Sequence, residues 1–154
     1  MGLDMYLTGT AYVEDWAHNY TGGVIPEDSK AKLCARACGV DLPCREVVFD
    51  VAYWRKANAV HKWFVDNVQG GVDDCGSYYV DVDQLRTLVG RATKVLADKT
   101  TAAEELPTQG GFFFGGVEYD NYYLQDLEYT KVTLEGILAR LDCESLQFKY
   151  QSSW

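Results

Sequence analysis

The chain has 154 residues and no run of apolar residues near the roughly 18 that a transmembrane helix requires, so we expect no membrane-spanning segment. Its first residues also lack the basic stretch and apolar core of a signal peptide. The cysteines are odd in number, which is typical of reduced thiols in a cytoplasm; they are Cys34, Cys38, Cys44, Cys75 and Cys143. These absences predict a cytoplasmic protein that does not enter membranes.

Basic residues are scarce, with 14 Lys and Arg against 23 Asp and Glu, and the net charge is −9. A general binder of the nucleic-acid backbone needs a basic face, so this class is excluded. A small anionic ligand held in a local basic pocket stays open, as does a basic partner protein attracted to the acidic surface. Assembly of several copies of the chain also stays open.

Recognisable catalytic machinery is absent. The two histidines, His18 and His61, lie in no hydrolase motif that we recognise. Cys75, His61 and Asp74 can be combined into a nucleophilic trio, but chance makes such trios common. The glycine-rich segments have neither the Gly-Lys-Ser/Thr ending of a phosphate-binding loop nor the spacing of a dinucleotide fingerprint. We therefore predict no catalytic residues and no cofactor, and we lean toward a protein that is not an enzyme.

A zinc site is poorly supported. Cys34, Cys38 and Cys44 are spaced by four and six residues, and no Cys-x-x-Cys pair exists to supply the usual ligand geometry. His18 or Cys75 would have to complete the site. We predict no metal.

Hydrophobic patterning predicts one α+β domain over residues 1–154, with a small, mostly antiparallel sheet packed against about three helices. The predicted strands are Leu3–Val13, Glu46–Tyr53, Ser77–Val80 and Leu146–Trp154. The predicted helices cover Ser29–Ala37, Trp54–Val68, the stretch that follows an Asp81 cap, and Tyr119–Leu141 with Asp120 as its cap. The buried stripe after Asp81 should comprise Leu85, Leu88, Val89, Ala92, Val95 and Leu96, and that of the last helix Tyr123, Leu127, Leu134, Ile137, Leu138 and Leu141.

Residues 53–64 form the first segment that suggests a binding site. Three cations, Arg55, Lys56 and Lys62, fall within eight residues of an acidic chain. If the helix begins at Trp54, its first backbone N–H groups can receive an anion, helped by the neighbouring basic side chains. The polar and aromatic side chains that this segment would offer a ligand are Tyr53, Trp54, Asn58 and His61.

Residues 106–120 form the second segment, in which three phenylalanines are bracketed by two pairs of glycines. Neighbouring side chains on a strand alternate between faces, so the three rings cannot share one environment, and one of them should enter a groove or contact a ligand. A buried edge strand with tight turns is the alternative. Candidate ligand contacts are Thr108, Gln109, Phe113 and Tyr119, together with Trp154, which we expect to dock on the fold.

The opening Met1–Leu7, the stretches 53–69 and 106–120 and the ending Ser152–Trp154 resemble a family of small bacteriophage proteins. Residues 20–45 match it least. Members are sometimes labelled phosphoglycerate kinase, a label that this chain contradicts, because such an enzyme has two domains and is far longer. The resemblance implies a viral accessory protein in the host cytosol that acts against host functions such as immune signalling.

Three functions follow from these observations. The first is sequestration of a small anionic or nucleotide-like ligand, with aromatic rings stacked on a base and basic side chains on phosphate. The second is an acidic inhibitor that covers a basic site on a host defence protein. The third is a small enzyme of nucleotides or metabolites with His61 as acid or base.

Overall fold

The computed structural model describes residues 2–13, 15–140 and 145–154. Its strands are β1 (Asp4–Tyr12), β2 (Glu46–Arg55), β3 (Ser77–Val80) and β4 (Gln147–Ser153). They form one antiparallel sheet in the order β2-β1-β4-β3, with Val80 of β3 opposite Phe148 of β4. In the described residues the helices are α1 (Lys30–Ala37), α2 (Asn58–Asn67), α3 (Val82–Ala97), α4 (Ala102–Glu105) and α5 (Asn121–Leu138). The predicted α+β class is confirmed.

The chain divides into two compact units. The larger unit comprises Met1–Gly9 and Asp50–Trp154, and the smaller unit comprises Thr10–Phe49. Strands β1 and β2 each have residues in both units, whereas α2–α5, β3 and β4 belong wholly to the larger unit. Both segments that the sequence singles out, 53–64 and 106–120, therefore lie in the larger unit.

In the smaller unit, Asp15 organises the start of α1. Its carboxylate accepts a 2.9 Å hydrogen bond from the backbone N–H of Ala31 and a 2.8 Å bond from the Tyr20 hydroxyl, and these bonds hold the pKa of Asp15 below its usual range. The Ser29 hydroxyl accepts from the N–H of Lys32 at 3.3 Å and caps the helix. The helix predicted at 29–37 is confirmed.

In the larger unit, α3 begins with the predicted capping box. The Asp81 side chain accepts from the third residue of the helix, and the Gln84 side chain accepts from the Asp81 N–H at 2.9 Å. The predicted stripe faces the core: Leu85, Leu88, Ala92 and Val95 are buried, and Val89 and Leu96 are partly buried.

Helix α5 is also capped as predicted. The Asp120 carboxylate accepts from the backbone N–H groups of Tyr122 and Tyr123 at 3.0 and 3.1 Å. The predicted core residues are buried or partly buried, except Leu141, which lies outside the described residues together with Cys143. None of the helices in the described part of the chain has the length and apolar character needed to cross a membrane.

The helix predicted over 54–68 begins later, at Asn58, so the predicted start was wrong. Trp54 belongs to β2, which continues alongside β1 until the Lys56 N–H donates to the carbonyl of Leu3 at 2.8 Å. The preceding run of aromatic and β-branched residues favours a strand, and pairing overrides the helical spacing. Lys56 then adopts a φ of 61°, which turns the chain into α2.

The three phenylalanines lie in a loop without regular secondary structure. Phe114 is buried in the core, Phe113 is half-buried, and the ring of Phe112 is 96% exposed. The edge strand considered for them is absent. The three rings do occupy different environments, as expected, because the chain turns at these residues and their side chains point in different directions.

Candidate functional site

A cavity of about 300 Å³ lies in the larger unit, at the junction of β2, α2, the loop of residues 106–120 (the glycine-rich loop) and α5. Its lining residues fall within three stretches of the chain, 55–60, 108–118 and 120–127. The first two stretches belong to the segments that the sequence singles out, so these segments meet in space. The volume is at the lower end of the range for small-molecule sites.

One edge of the cavity is basic. Arg55, the last residue of β2, and Lys56 both line it. The Arg55 guanidinium lies 4.0 Å from the Asp4 carboxylate and is largely exposed, so a weak surface ion pair leaves it available. Lys56 has no ion-pair partner within the described residues. Lys56, and Arg55 if it leaves its weak ion pair, can therefore meet an anionic group.

The first turn of α2 lies beside this basic edge. Ala57 precedes the helix and its side chain provides no cap, and Ala59 and Val60 line the cavity. The backbone N–H of Asn58 is bonded to the carbonyl of Lys56 at 2.9 Å, whereas the N–H groups of the next two residues have no carbonyl four residues earlier in the helix to bind. The positive end of the helix dipole therefore adds to the charge of Arg55 and Lys56.

Asn58 fixes the glycine-rich loop against α2. Its side-chain amide donates to the carbonyls of Phe114 at 3.0 Å and Gly116 at 2.6 Å, and its oxygen accepts from the N–H of Gln109 at 3.1 Å. Gly115, with a φ of 86°, lies so close to Lys56 that an added Cβ would stand 3.2 Å from the Lys56 Cβ. The loop is thus held rigidly at the cavity wall.

Part of the cavity wall is acidic. Glu118, Asp120 and Asp126 line it. Asp120 is engaged as the cap of α5. The carboxyl of Asp126 is half-buried, and burial, followed by the charge of Asp120, raises its pKa to about 6. Raised carboxyl pKa values are typical of functional clefts, because a fold gains nothing from desolvating an unpaired charge.

Aromatic side chains of α5 complete this wall. Tyr123 is buried, and its hydroxyl donates to the carbonyl of Leu106 at 2.9 Å. Tyr122 lines the cavity with a ring that is 76% exposed. The cavity thus combines a cationic edge, a carboxylate wall and an aromatic surface. Such an arrangement suits a ligand that carries both an anionic group and hydrogen-bond donors.

Four of the predicted site residues line the cavity: Arg55, Lys56, Asn58 and Thr108. The Thr108 hydroxyl donates to the carbonyl of Val117 at 2.9 Å and steadies the loop. The backbone N–H of Gln109 donates to the side-chain oxygen of Asn58.

Other predicted site residues lie outside the cavity. The Trp54 indole is buried and donates to the Thr130 hydroxyl at 2.8 Å, and Lys62 pairs with Asp66 at 2.8 Å. The Tyr53 hydroxyl donates to Asp4. Tyr119 packs edge-on against Tyr123, with ring centroids 5.1 Å apart.

His61 and Trp154 share a buried network. His61 is fully buried, with Nδ1 2.8 Å from the Tyr150 hydroxyl and Nε2 3.0 Å from Oδ2 of Asp73. The other oxygen of Asp73 accepts from the Trp154 indole at 3.0 Å, so Trp154 docks as expected. Phe114 packs edge-on against both His61 and Trp154. The network therefore supports the glycine-rich loop from behind.

The remaining predicted contact, Phe113, is half-buried and packs edge-on against Phe112, with ring centroids 4.9 Å apart. Its carbonyl accepts from the N–H of Leu3 at 3.0 Å. This bond ties the loop to the residue before β1.

Sequence reasoning missed Asp126, Glu118 and Tyr122. A usable signal existed for Asp126. It lies three residues after Tyr123 and four before Thr130, both buried, so helical spacing puts a carboxylate on the buried face of α5. A carboxylate on such a face is unusual unless it serves a purpose.

The catalytic and metal combinations considered earlier find little support in the geometry. His61 contacts Asp73, whereas Asp74 accepts from the Gly76 N–H at 2.8 Å and the Tyr78 hydroxyl at 3.0 Å. Among residues 2–13, 15–140 and 145–154, no three His, Cys, Asp or Glu side chains are placed to hold a metal ion.

Comparison with known proteins does not assign a function. No family model, no curated protein and no solved structure matches this chain. The resemblance to small phage proteins stays a prediction.

Proposed function

We propose that this protein binds and sequesters a small anionic, nucleotide-like ligand in the cavity between α2, the glycine-rich loop and α5. The observation that carries the proposal is the convergence of Arg55, Lys56 and the uncapped first turn of α2 on one cavity. In a chain with a net charge of −9, two adjacent cations beside the start of a helix are a local exception. They match the way proteins hold phosphate and carboxylate groups.

Two features support binding of an intact ligand. The loop is fixed by the three hydrogen bonds of Asn58, which favours a preformed pocket with a low entropic cost of binding. The buried His61, the first candidate acid or base, is bonded to Tyr150 and Asp73 and does not line the cavity. If the phage resemblance holds, the ligand would be a host signal removed from circulation.

The direct test is to purify the protein from phage-infected cells, denature it, and analyse the released small molecules by mass spectrometry. We expect an intact anion at close to one equivalent. Release of nothing from well-folded protein would contradict the proposal.

A matched pair of variants locates the ligand. Lys56→Met keeps the length of the side chain, which packs beside Gly115, and removes its charge. Lys62→Met makes the same change outside the cavity. We expect Lys56→Met to reduce the bound ligand by about tenfold or more, the equivalent of one charged hydrogen bond, and Lys62→Met to leave it unchanged. Equal effects would remove Lys56 from the site.

A second candidate function, an acidic inhibitor of a basic host protein, is favoured by Phe112. A ring that is 96% exposed on a loop is accessible to a partner as an aromatic anchor. Pull-downs from host lysates at low and high salt test this function. We expect Phe112→Ser to abolish capture and Val24→Ser, which replaces another exposed apolar side chain, to preserve it. No salt-sensitive capture from several hosts would exclude this function.

A further inference from the structure

Asp126 occupies an unusual position in the cavity. It lies in the second turn of α5 and lines the cavity together with the first residues of α2. Within the described residues its carboxyl receives no hydrogen bond, although its backbone carbonyl accepts from the Thr130 hydroxyl at 2.6 Å. A half-buried carboxyl that accepts no hydrogen bond from the protein loses part of its hydration without compensation.

The charged groups around the cavity do not neutralise this carboxyl. Asp120 is acidic and disfavours its ionised form, and neither Arg55 nor Lys56 forms an ion pair with it. Its pKa of about 6 still leaves it mostly ionised at neutral pH. The wall therefore presents two acceptor oxygens that have no hydrogen-bond donor among the described residues.

Tyr122 lies one helical turn before Asp126, and both line the cavity. Residues four apart on a helix are neighbours on its surface, so the exposed ring lies next to the carboxyl. A flat group stacked on this ring can present its edge to the carboxylate. Stacking on an aromatic ring stabilises a bound base.

We propose that Asp126 determines specificity by accepting two adjacent N–H groups from the base of the bound nucleotide, a guanine-type edge, while Tyr122 stacks on the base and Lys56 holds the phosphate. This inference rests on the proposed function and names the class of its ligand. Two parallel donors match the two oxygens of a carboxylate, as in the bidentate pairs that arginine forms. An edge of acceptors would face like charge and is rejected.

The test compares guanosine monophosphate with inosine monophosphate by titration calorimetry of the full chain, after removal of any co-purified ligand. The two probes share phosphate, ribose and ring N–H, and inosine lacks the exocyclic amino group. Inorganic phosphate serves as the third probe. The variants are Asp126→Asn, Lys56→Met and Glu128→Gln, the last being an exposed change of equal charge on the same helix.

We expect the wild type to prefer the guanosine nucleotide by about tenfold or more, as the loss of one hydrogen bond to a charged group predicts. Asp126→Asn should reduce this preference to about threefold or less, and Glu128→Gln should preserve it. Lys56→Met should weaken both nucleotides equally. Equal binding of the two by the wild type, or a preference that survives Asp126→Asn, would overturn the inference.

The outcomes separate this inference from the proposed function. If neither nucleotide binds but the purified protein releases another small anion, the role of Asp126 as a guanine acceptor is wrong and sequestration stands. If neither binds and nothing is released, both are wrong.

Discussion

The side-chain amide of Asn58 donates a hydrogen bond of 2.6 Å to the carbonyl oxygen of Gly116. A residue in the first turn of α2 thereby holds a loop that is 58 positions away in the sequence. The same side chain is bonded to the carbonyl of Phe114 and the N–H of Gln109. Because the cavity wall is built from this loop, its shape depends on one buried amide.

Asn58→Ala should destabilise the protein by about 2–4 kcal/mol, because three hydrogen bonds are lost and their backbone partners are left unsatisfied. The free energy of unfolding in urea measures the loss. Asn67→Ala is the matched control, since its side chain makes a single bond, to the carbonyl of Trp63 at 2.8 Å. A loss no larger than that of the control would contradict the role of Asn58 in holding the loop against α2.

Gly115→Ala should cost about 1–2 kcal/mol, because the residue adopts a φ of 86° and an added Cβ would press on Lys56. Gly116→Ala provides the comparison within the same loop, where an added Cβ meets nothing within 4 Å. Its stability should change by less than about 1 kcal/mol. Thermal unfolding of the two variants distinguishes them, and similar melting temperatures would refute the close approach of Gly115 to Lys56.

Much of the fold could be predicted because its signals are local. The Asp81 cap and the Asp120 cap each lie next to a helix whose apolar stripe repeats every three or four residues. The start of α2 could not be predicted in this way. Trp54 fits a helical stripe and a strand equally well, and the deciding contact, from the Lys56 N–H to the carbonyl of Leu3, joins distant parts of the chain.

The candidate site was likewise predictable from the sequence only in part. Basic residues are scarce in this acidic chain, so the neighbouring Arg55 and Lys56 could be identified from their clustering in the sequence. Asp126 is one of 23 acidic residues, and its role emerges from what surrounds it. His61 attracted attention as a rare residue, yet its function depends on Asp73 and Tyr150, which no local pattern connects to it.

The bond between His61 and Tyr150 can be tested by removing one hydroxyl. Because the Asp73 carboxylate accepts hydrogen bonds, Nε2 of His61 carries a hydrogen, and Nδ1 lies 2.8 Å from the Tyr150 hydroxyl. Burial raises the pKa of Tyr150 well above its usual value, which keeps the hydroxyl protonated. Tyr150→Phe should cost about 1–3 kcal/mol, because it leaves a buried ring nitrogen of His61 without its hydrogen-bond partner.

Tyr78→Phe is the control for this variant. Its hydroxyl bonds to Asp74 at an exposed position, so its loss should change the free energy of unfolding by less than about 0.5 kcal/mol. Urea denaturation of both variants measures the difference. Equal losses would show that the buried network adds no stability beyond that of a surface bond.

The raised pKa of Asp126 makes stability depend on pH in a defined direction. The pKa is about 6 in the folded protein and near 3.8 in the unfolded chain. Below the lower value the carboxyl is protonated in both states. As pH rises from about 4 to about 6, the unfolded chain releases the proton first, so the unfolded state becomes relatively more stable. The favourable contribution of the protonated group is therefore lost as pH rises through the folded pKa.

Asp126→Asn removes this titration and should raise the free energy of unfolding at pH 7 by about 1 kcal/mol, a value below the full shift because the carboxyl is partly exposed. Near pH 4 the variant and the wild type should be nearly equal. Urea denaturation at several pH values between 4 and 7 measures the difference, from which the other carboxyls cancel. Glu128→Gln, an exposed change of equal charge on the same helix, is the matched control. A constant difference for Asp126→Asn would show that its carboxyl is as well solvated as an exposed one, and the wall of the cavity would then lack the unpaired acceptor on which nucleotide specificity depends.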